Sequence, residues 1–327
     1  MKKIIGLLLV LMTSANLWTV SAQNKTEEPK GKAIIRIFTN FHTGYGQGRN
    51  DGGFELSRSY LGYQYDLGKG LQLKAVMDVG KSSSVDDLNR IAFIKNAQVS
   101  WKTGKLTLHG GLITTTQFKV QEDFWGYRYM MMSFQDYYKW GSSADLGISA
   151  SYQLADWISA DAIVVNGEGY KKVQKTDGLQ YGLGATLRPV SGLTVRLYGS
   201  LNEGADPTKE DITNLATMVG YKGKSFSIAG EYNLMANSGN VKDANLYGIS
   251  VYGTVKVNKQ VETFLRYDQL SSKDDWNENK DESSILAGAQ FKVGKYVKLA
   301  PNFRMFMPKK EGADNRYMAY ISCYFGI

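Results

Sequence analysis

The chain has 327 residues, with 39 Lys and Arg against 31 Asp and Glu, a formal net charge of +8 at pH 7, and a single cysteine. One cysteine excludes an internal disulfide, and the mild positive balance, with no concentrated Lys/Arg run, excludes a dedicated nucleic-acid binder. Five prolines, 35 glycines and 21 tyrosines fit long unbroken ladders with amphipathic rings where apolar and wet surroundings meet.

At the start, Lys2 and Lys3 precede a short apolar run from Ile4 to Met12, and Val20-Ser21-Ala22 places small residues before Gln23. This is the pattern of a cleaved secretory signal peptide over 1–22, and its apolar core is too short to span a bilayer as a helix. Residues 23–32 are polar and charged and read as a flexible lead-in. Residues 33–327 are expected to form one domain that uses up the chain, with neither plug nor periplasmic anchor. No later apolar run approaches the roughly 18 residues a spanning helix needs. Mean hydropathy is below zero, as it is for strands that are apolar only at alternate positions.

From Ala33 onward the side chains alternate with period two, which puts successive residues on opposite faces of a strand. About sixteen such strands are predicted. The first five lie near 33–43, 54–66, 71–80, 91–102 and 105–113. After a long gap follow 143–154, 157–166, 178–189 and 192–201; on 178–189, Leu179, Tyr181, Leu183, Ala185 and Leu187 oppose Gln180, Gly182, Gly184, Thr186 and Arg188. Then come 213–222, 224–235, 244–257, 260–270, 283–293, 296–307 and 315–325. The clearest alternation is Tyr247, Ile249, Val251, Val255 and Val257 against Ser250, Tyr252, Thr254 and Lys256.

Connections alternate in length. Short turns such as Leu67-Gly68-Lys69-Gly70, Thr103-Gly104-Lys105 and Asn258-Lys259 separate long loops at 44–53, 81–90, 114–142, 167–177, 202–212, 236–243, 271–282 and 308–314. Seven short turns and eight long loops put both chain ends on the short-turn side. A transmembrane antiparallel β-barrel has this asymmetry, with short periplasmic turns and long outer loops; a soluble sandwich has no reason for it. Tyr63, Tyr65, Trp101, Trp157, Tyr221, Phe226, Phe291 and Tyr296 fall beside the turns, where they suit an interfacial girdle.

About sixteen strands enclose a lumen wide enough for an aqueous channel. Strand parity points Arg36, Arg58, Lys74, Arg188, Arg196, Lys256, Arg266, Lys292, Lys298 and Arg304 inward, with the acids Asp78, Asp161, Glu231, Glu262 and Asp268. Bases outnumber acids, so the expected field favours anions mildly; a mixed, unselective lumen is the even alternative. Segment 114–142 is the longest connection and carries Phe118, Phe124, Trp125, Tyr127, Tyr129, Met130 to Met132, Phe134 and Trp140. So much apolar surface must pack against something.

Several local phrases resemble a bacteroidete-type porin, distantly similar to the phosphate-selective porin O and P family. They are Phe54 to Tyr65 (FELSRSYLGYQY) with its short turn into Leu71 to Val79, Asn96-Ala97-Gln98-Val99 before Trp101, Asn166-Gly167 at a strand end, and Tyr317 to Phe325, which is similar to the C-terminal insertion signal of outer-membrane barrels. Gly326-Ile327 follow the aromatic residue that usually ends such chains, and a dense arginine ladder suited to phosphate is absent. The resemblance implies an outer-membrane homotrimer of a Gram-negative bacterium, in contact with lipid and lipopolysaccharide, passing small hydrophilic solutes or anions. It also implies that 114–142, the third long loop, folds inward as a constriction, with Glu122, Asp123, Arg128 and Asp136 at the eyelet. A cap at the mouth or a subunit contact are the alternatives for this loop; an adhesin or scaffold acting through its loops is the alternative function.

No catalytic, metal or cofactor site is expected. His42 and His109 lie on different strands outside any metal-spaced cluster and read as rim or lumen residues. Asp86-Asp87 and Asp274-Asp275 read as solvated loop charges, as does Lys309-Lys310, for which contact with lipopolysaccharide phosphates is the functional alternative.

Overall fold

The computed structural model describes residues 30–45, 52–81, 90–174 and 177–327. The expected signal peptide, most of the lead-in and Asp86-Asp87 lie outside the described residues. Sixteen strands follow one another: β1 (Lys30–Tyr45), β2 (Gly52–Gly68), β3 (Leu71–Lys81), β4 (Arg90–Thr103), β5 (Leu106–Thr114), β6 (Ala144–Ala155), β7 (Ile158–Val165) and β8 (Gln180–Leu187). The second half comprises β9 (Leu193–Asn202), β10 (Ile212–Lys222), β11 (Phe226–Ala236), β12 (Leu246–Lys256), β13 (Val261–Ser272), β14 (Glu282–Val293), β15 (Val297–Pro308) and β16 (Arg316–Gly326). Each pairs antiparallel with its chain neighbours, and β1 pairs with β16 to close the ring. Closure leaves no sheet edge, the condition for strands to cross hydrocarbon with every backbone group bonded. Each predicted strand is present. β1 starts earlier than expected: Lys30, Gly31 and Lys32 of the lead-in pair with Asp66, Tyr65 and Gln64.

The two faces of the ring differ as the alternation requires. Outward residues such as Ile94, Leu183 and Leu265 are 59%, 69% and 59% exposed. An apolar belt on this scale is stable against lipid chains, not against water. Trp101, Trp157, Tyr221, Phe226, Phe291 and Tyr296 are exposed beside the short turns, in the ring that the sequence suggests. No helix among the described residues is long and apolar enough to cross a membrane; the strands do the crossing.

Two bulges change what the inward face presents. Between β1 and β2 the register jumps from Phe38–Arg58 to Thr39–Leu56, so Ser57 is an extra residue. Between β3 and β4 it jumps from Val76–Asn96 to Met77–Ile94, so Lys95 is extra. A bulge lets two consecutive side chains share a face, and Lys95 and Asn96 both make bonds inside the barrel.

Candidate channel and inserted loop

The segment joining β5 to β6 turns into the ring. It contains two short helices, α1 (Lys119–Trp125) and α2 (Phe134–Tyr137). Phe118, Trp125, Met131 and Phe134 are buried to between 0% and 4% exposure, and Trp125 packs on Tyr252 and Phe264 of the inner wall. A free loop would leave these side chains in water at about 1.5–3 kcal/mol each. Two glycines make room for it. A Cβ on Gly248 of β12 would stand 2.1 Å from the Phe134 ring, and one on Gly220 of β10 would stand 2.7 Å from Phe124.

Polar side chains fix the segment across the lumen. The Gln135 amide donates to Asn214 and Asn233 at 3.0 and 2.8 Å. The Tyr127 hydroxyl donates to Glu262 at 3.1 Å and the Tyr129 hydroxyl to Gln290 at 3.0 Å. Three wall arginines hold its backbone carbonyls: Arg196 donates to Thr116 at 2.9 Å, Arg266 to Met132 at 2.8 Å and Arg304 to Met130 at 2.8 Å. The lumenal placement agrees with the inward fold implied by the third-loop resemblance, not with a cap at the mouth.

The eyelet candidates are brought together as an ion-paired set in which one arginine serves two carboxylates. Arg128 pairs with both Glu122 and Asp136 and donates from Nε to the Tyr60 hydroxyl at 3.4 Å. Asp123 pairs with Lys119 one helical turn earlier. No free acidic rim results.

The wall residues chosen by parity divide into three groups. Arg196 and Arg266 sit on the inward face but are 1% exposed, sealed beneath the loop. Arg196 pairs with Asp161, and Arg266 with Asp268 at 2.7 Å. Arg58 pairs with Asp78. Arg188 lies past the end of β8 at a turn-side recess with Val120, Phe124 and Lys222; Lys256, the last residue of β12, lines a neighbouring recess with Lys292 and Glu262. Arg36, Lys74 and Lys298 face open space.

That space is a chamber of about 420 Å³ on the turn side of the loop. β1 contributes Lys32 and Arg36, β3 Lys74, β4 Lys95 and β15 Lys298; the loop adds Lys119, Arg128, Glu122 and Asp123. The loop charges pair among themselves, while Lys32, Arg36, Lys74, Lys95 and Lys298 carry no salt bridge among the described residues. A second chamber of about 200 Å³ lies on the other side of the loop, lined by Arg58, Arg304, Glu55, Tyr137 and Tyr320. Phe38, Arg128 and Tyr129 line both, so they form the partition between them.

Parity missed two participants. One is Lys95, whose ammonium lies 2.9 Å from the Ser143 hydroxyl and 4.8 Å from the centre of the Tyr60 ring. The other is Tyr170, from the loop after β7. The Asp145 carboxylate accepts the N–H groups of Gly167 at 2.8 Å and Gly169 at 3.1 Å, which curls this loop inward and delivers the Tyr170 hydroxyl to Asp78. Burial raises the Tyr170 phenol above its ordinary range; burial, helped by nearby Arg58, pulls the neighbouring Lys171 ammonium below its own.

His109 bonds through Nδ1 to Ser100 at 2.8 Å, and the Gln98 amide donates to the same hydroxyl at 3.0 Å. The three close a polar chain along the wall. His42 bonds Asn40 at 2.8 Å and stacks on Tyr320. Asp275 pairs with Lys309 in the outer loops. Among the described residues, no group of three or more His, Cys, Asp or Glu is placed to hold a metal ion.

No family model matches the chain, and no curated protein matches it in sequence. Solved structures do match in shape. The anion-selective porin from Comamonas acidovorans superposes with a TM-score of 0.71 at 13% identity, over 92% of this chain and 100% of that one. OprB of Pseudomonas putida gives 0.70 at 11% identity, over 91% and 94%. OmpF of Salmonella typhi gives 0.68 at 12% identity, over 90% and 98%. At these identities the likeness is one of architecture, and the chain has the closed sixteen-stranded antiparallel barrel of the outer-membrane porins.

Proposed function

We propose that this protein is an outer-membrane channel through which small hydrophilic solutes diffuse passively, with a mild preference for anions. The observation that carries the reading is the turn-side chamber, whose wall bears five cationic side chains without a salt bridge among the described residues. Walls of low dielectric focus the field of such charges and raise the local concentration of counter-ions. In this reading Arg36, Lys74, Lys95 and Lys298 set the field, and Arg58 and Arg304 line the outer approach. Arg196 and Arg266 act through the loop they hold, and Arg188 and Lys256 flank the periplasmic exit. The inserted loop is the constriction, narrowest at the partition of Phe38, Arg128 and Tyr129.

The remaining parts follow from the same reading. Residues 1–22 direct export and are removed; the apolar belt meets outer-membrane lipid, with lipopolysaccharide around the long loops; three copies assemble, as the porin resemblance implies. We take the protein to be a channel and not an enzyme, and read the Ser100 hydroxyl, which bonds His109 and accepts the Gln98 amide, as part of a polar wall network.

The test is conductance of the purified protein in planar bilayers, with the reversal potential under a KCl gradient. Steady channels with a chloride-favouring reversal potential are expected. A sealed bilayer would sink the channel reading, and a cation-favouring potential would sink the anion preference alone.

A further inference from the structure

We propose that the turn-side chamber is a binding site for a compact organic anion carrying two or more charges on an apolar, ring-sized frame. The proposal rests on the anion-preferring channel reading and goes beyond a diffuse positive field.

The first observation is the spacing of the free cations. Pairing registers place Lys32, Gln64, Lys74 and Gln98 in one row across β1 to β4. Lys32 and Lys74 are therefore two strand spacings apart, roughly 10 Å at the backbone. Long flexible ammonium arms at that separation can close on one small ligand from two sides. Lys95 enters the same chamber from the β4 bulge, and Lys298 enters from β15. The chamber's own carboxylates, Glu122 and Asp123, are occupied by Arg128 and Lys119. A monovalent ion satisfies these cations one at a time, whereas a ligand with several carboxylates spans them.

The second observation is the aromatic wall beside those cations. Phe38, Tyr60, Tyr129 and Tyr324 form a continuous, largely buried aromatic cluster, with neighbouring ring centres 5.6 to 6.3 Å apart. All four line the chamber. Lys95 stands over the Tyr60 ring at 4.8 Å and Lys298 over the Tyr324 ring at 5.1 Å, so charge and apolar surface meet at the same places. Inorganic phosphate gains nothing from such a wall and keeps its hydration there. A carbon ring gains by leaving water against it. The volume of about 420 Å³ admits a benzene ring with its carboxylates.

The experiment measures block of chloride current through the full-length barrel in planar bilayers. The probes are benzene-1,3,5-tricarboxylate, benzoate and inorganic phosphate, each added from the turn side. The reversal potential is recorded on the same channels, so the channel reading is scored separately. We expect saturable block by the tricarboxylate, about tenfold or more tighter than by either other probe. Lys74→Gln and Lys95→Gln should each weaken it by about tenfold with channels still open, and Lys74→Arg should retain it. Folding of every variant is checked by heat-dependent gel mobility. Equal block by phosphate overturns the organic frame, and equal block by benzoate overturns the need for several charges. Absence of saturable block, with the chloride preference intact, overturns the site and leaves only the field. Loss of chloride preference in the unaltered protein overturns the underlying reading instead.

Discussion

Two arcs of the inner wall carry the same kind of residue to different ends. On β9, β13 and β15, inward arginines are paired or stacked and donate to carbonyls of the inserted segment. On β1, β3 and β4, inward arginine and lysine side chains face an open chamber and make no salt bridge among the described residues. The sign of the charge does not separate the two arcs, although the first is all arginine and the second mostly lysine. What separates them is where the segment after β5 lands, because a cation beneath it loses its water and must be paired, hydrogen-bonded or stacked, while a cation beside it keeps its water and its field. The loop thus decides which cations of the inner wall stay open to the lumen.

Removing the loop is the strongest way to break this contrast. Deletion of residues 126–138 takes away the partition and uncovers the anchoring arginines, so single-channel conductance should rise several-fold; unchanged conductance would place the constriction elsewhere. Next in size is Arg266→Ala. It leaves Asp268, which is fully buried, without its cation, at a cost of about 3–5 kcal/mol. The unfolding midpoint of the detergent-solubilised barrel should fall markedly, and the freed Met132 carbonyl should make the current noisy. The arcs differ most sharply if Lys95→Gln does the reverse, shifting the reversal potential toward zero with the unfolding midpoint unchanged. The smallest effect belongs to the exposed Lys309–Asp275 pair in the outer loops, which is screened by salt. Asp275→Asn should leave both midpoint and reversal potential within error, and a clear change in either would show that the outer loops are coupled to the channel.

The strands were legible because period-two alternation and turn length are local properties. Tyr247 through Val257 announces its two faces without reference to any other strand, and the alternation of short and long connections fixes the sense of the ring. That the loop packs against something was legible as well, through the apolar bulk of Phe118 to Trp140, which water alone would not tolerate; that it packs inward was implied only by the third-loop resemblance. Its landing place was not. Gly248 and Gly220 form sockets for Phe134 and Phe124 only once β10 and β12 are brought opposite the loop, across about a hundred residues of chain. The burial of Arg196 and Arg266 follows from that landing and shares its invisibility. Lys95 escaped for a different reason: strict alternation from Asn96 puts it on the lipid side. There a lysine near the bilayer centre costs about 2–4 kcal/mol. That cost was the available signal, since a charge in a lipid-facing position of an otherwise apolar stretch asks for a bulge.

The Lys95 bulge has a consequence for how such a lining can change over generations. Because the extra residue stands outside the β3–β4 ladder, gaining or losing it leaves the flanking pairs Val76–Asn96 and Met77–Ile94 each with their own partner. The charge of the inner wall is adjustable here by length as well as by composition. One codon inserted or removed at such a bulge adds or subtracts a lumenal side chain and leaves the greasy exterior as it was, without giving up a lumenal residue already there.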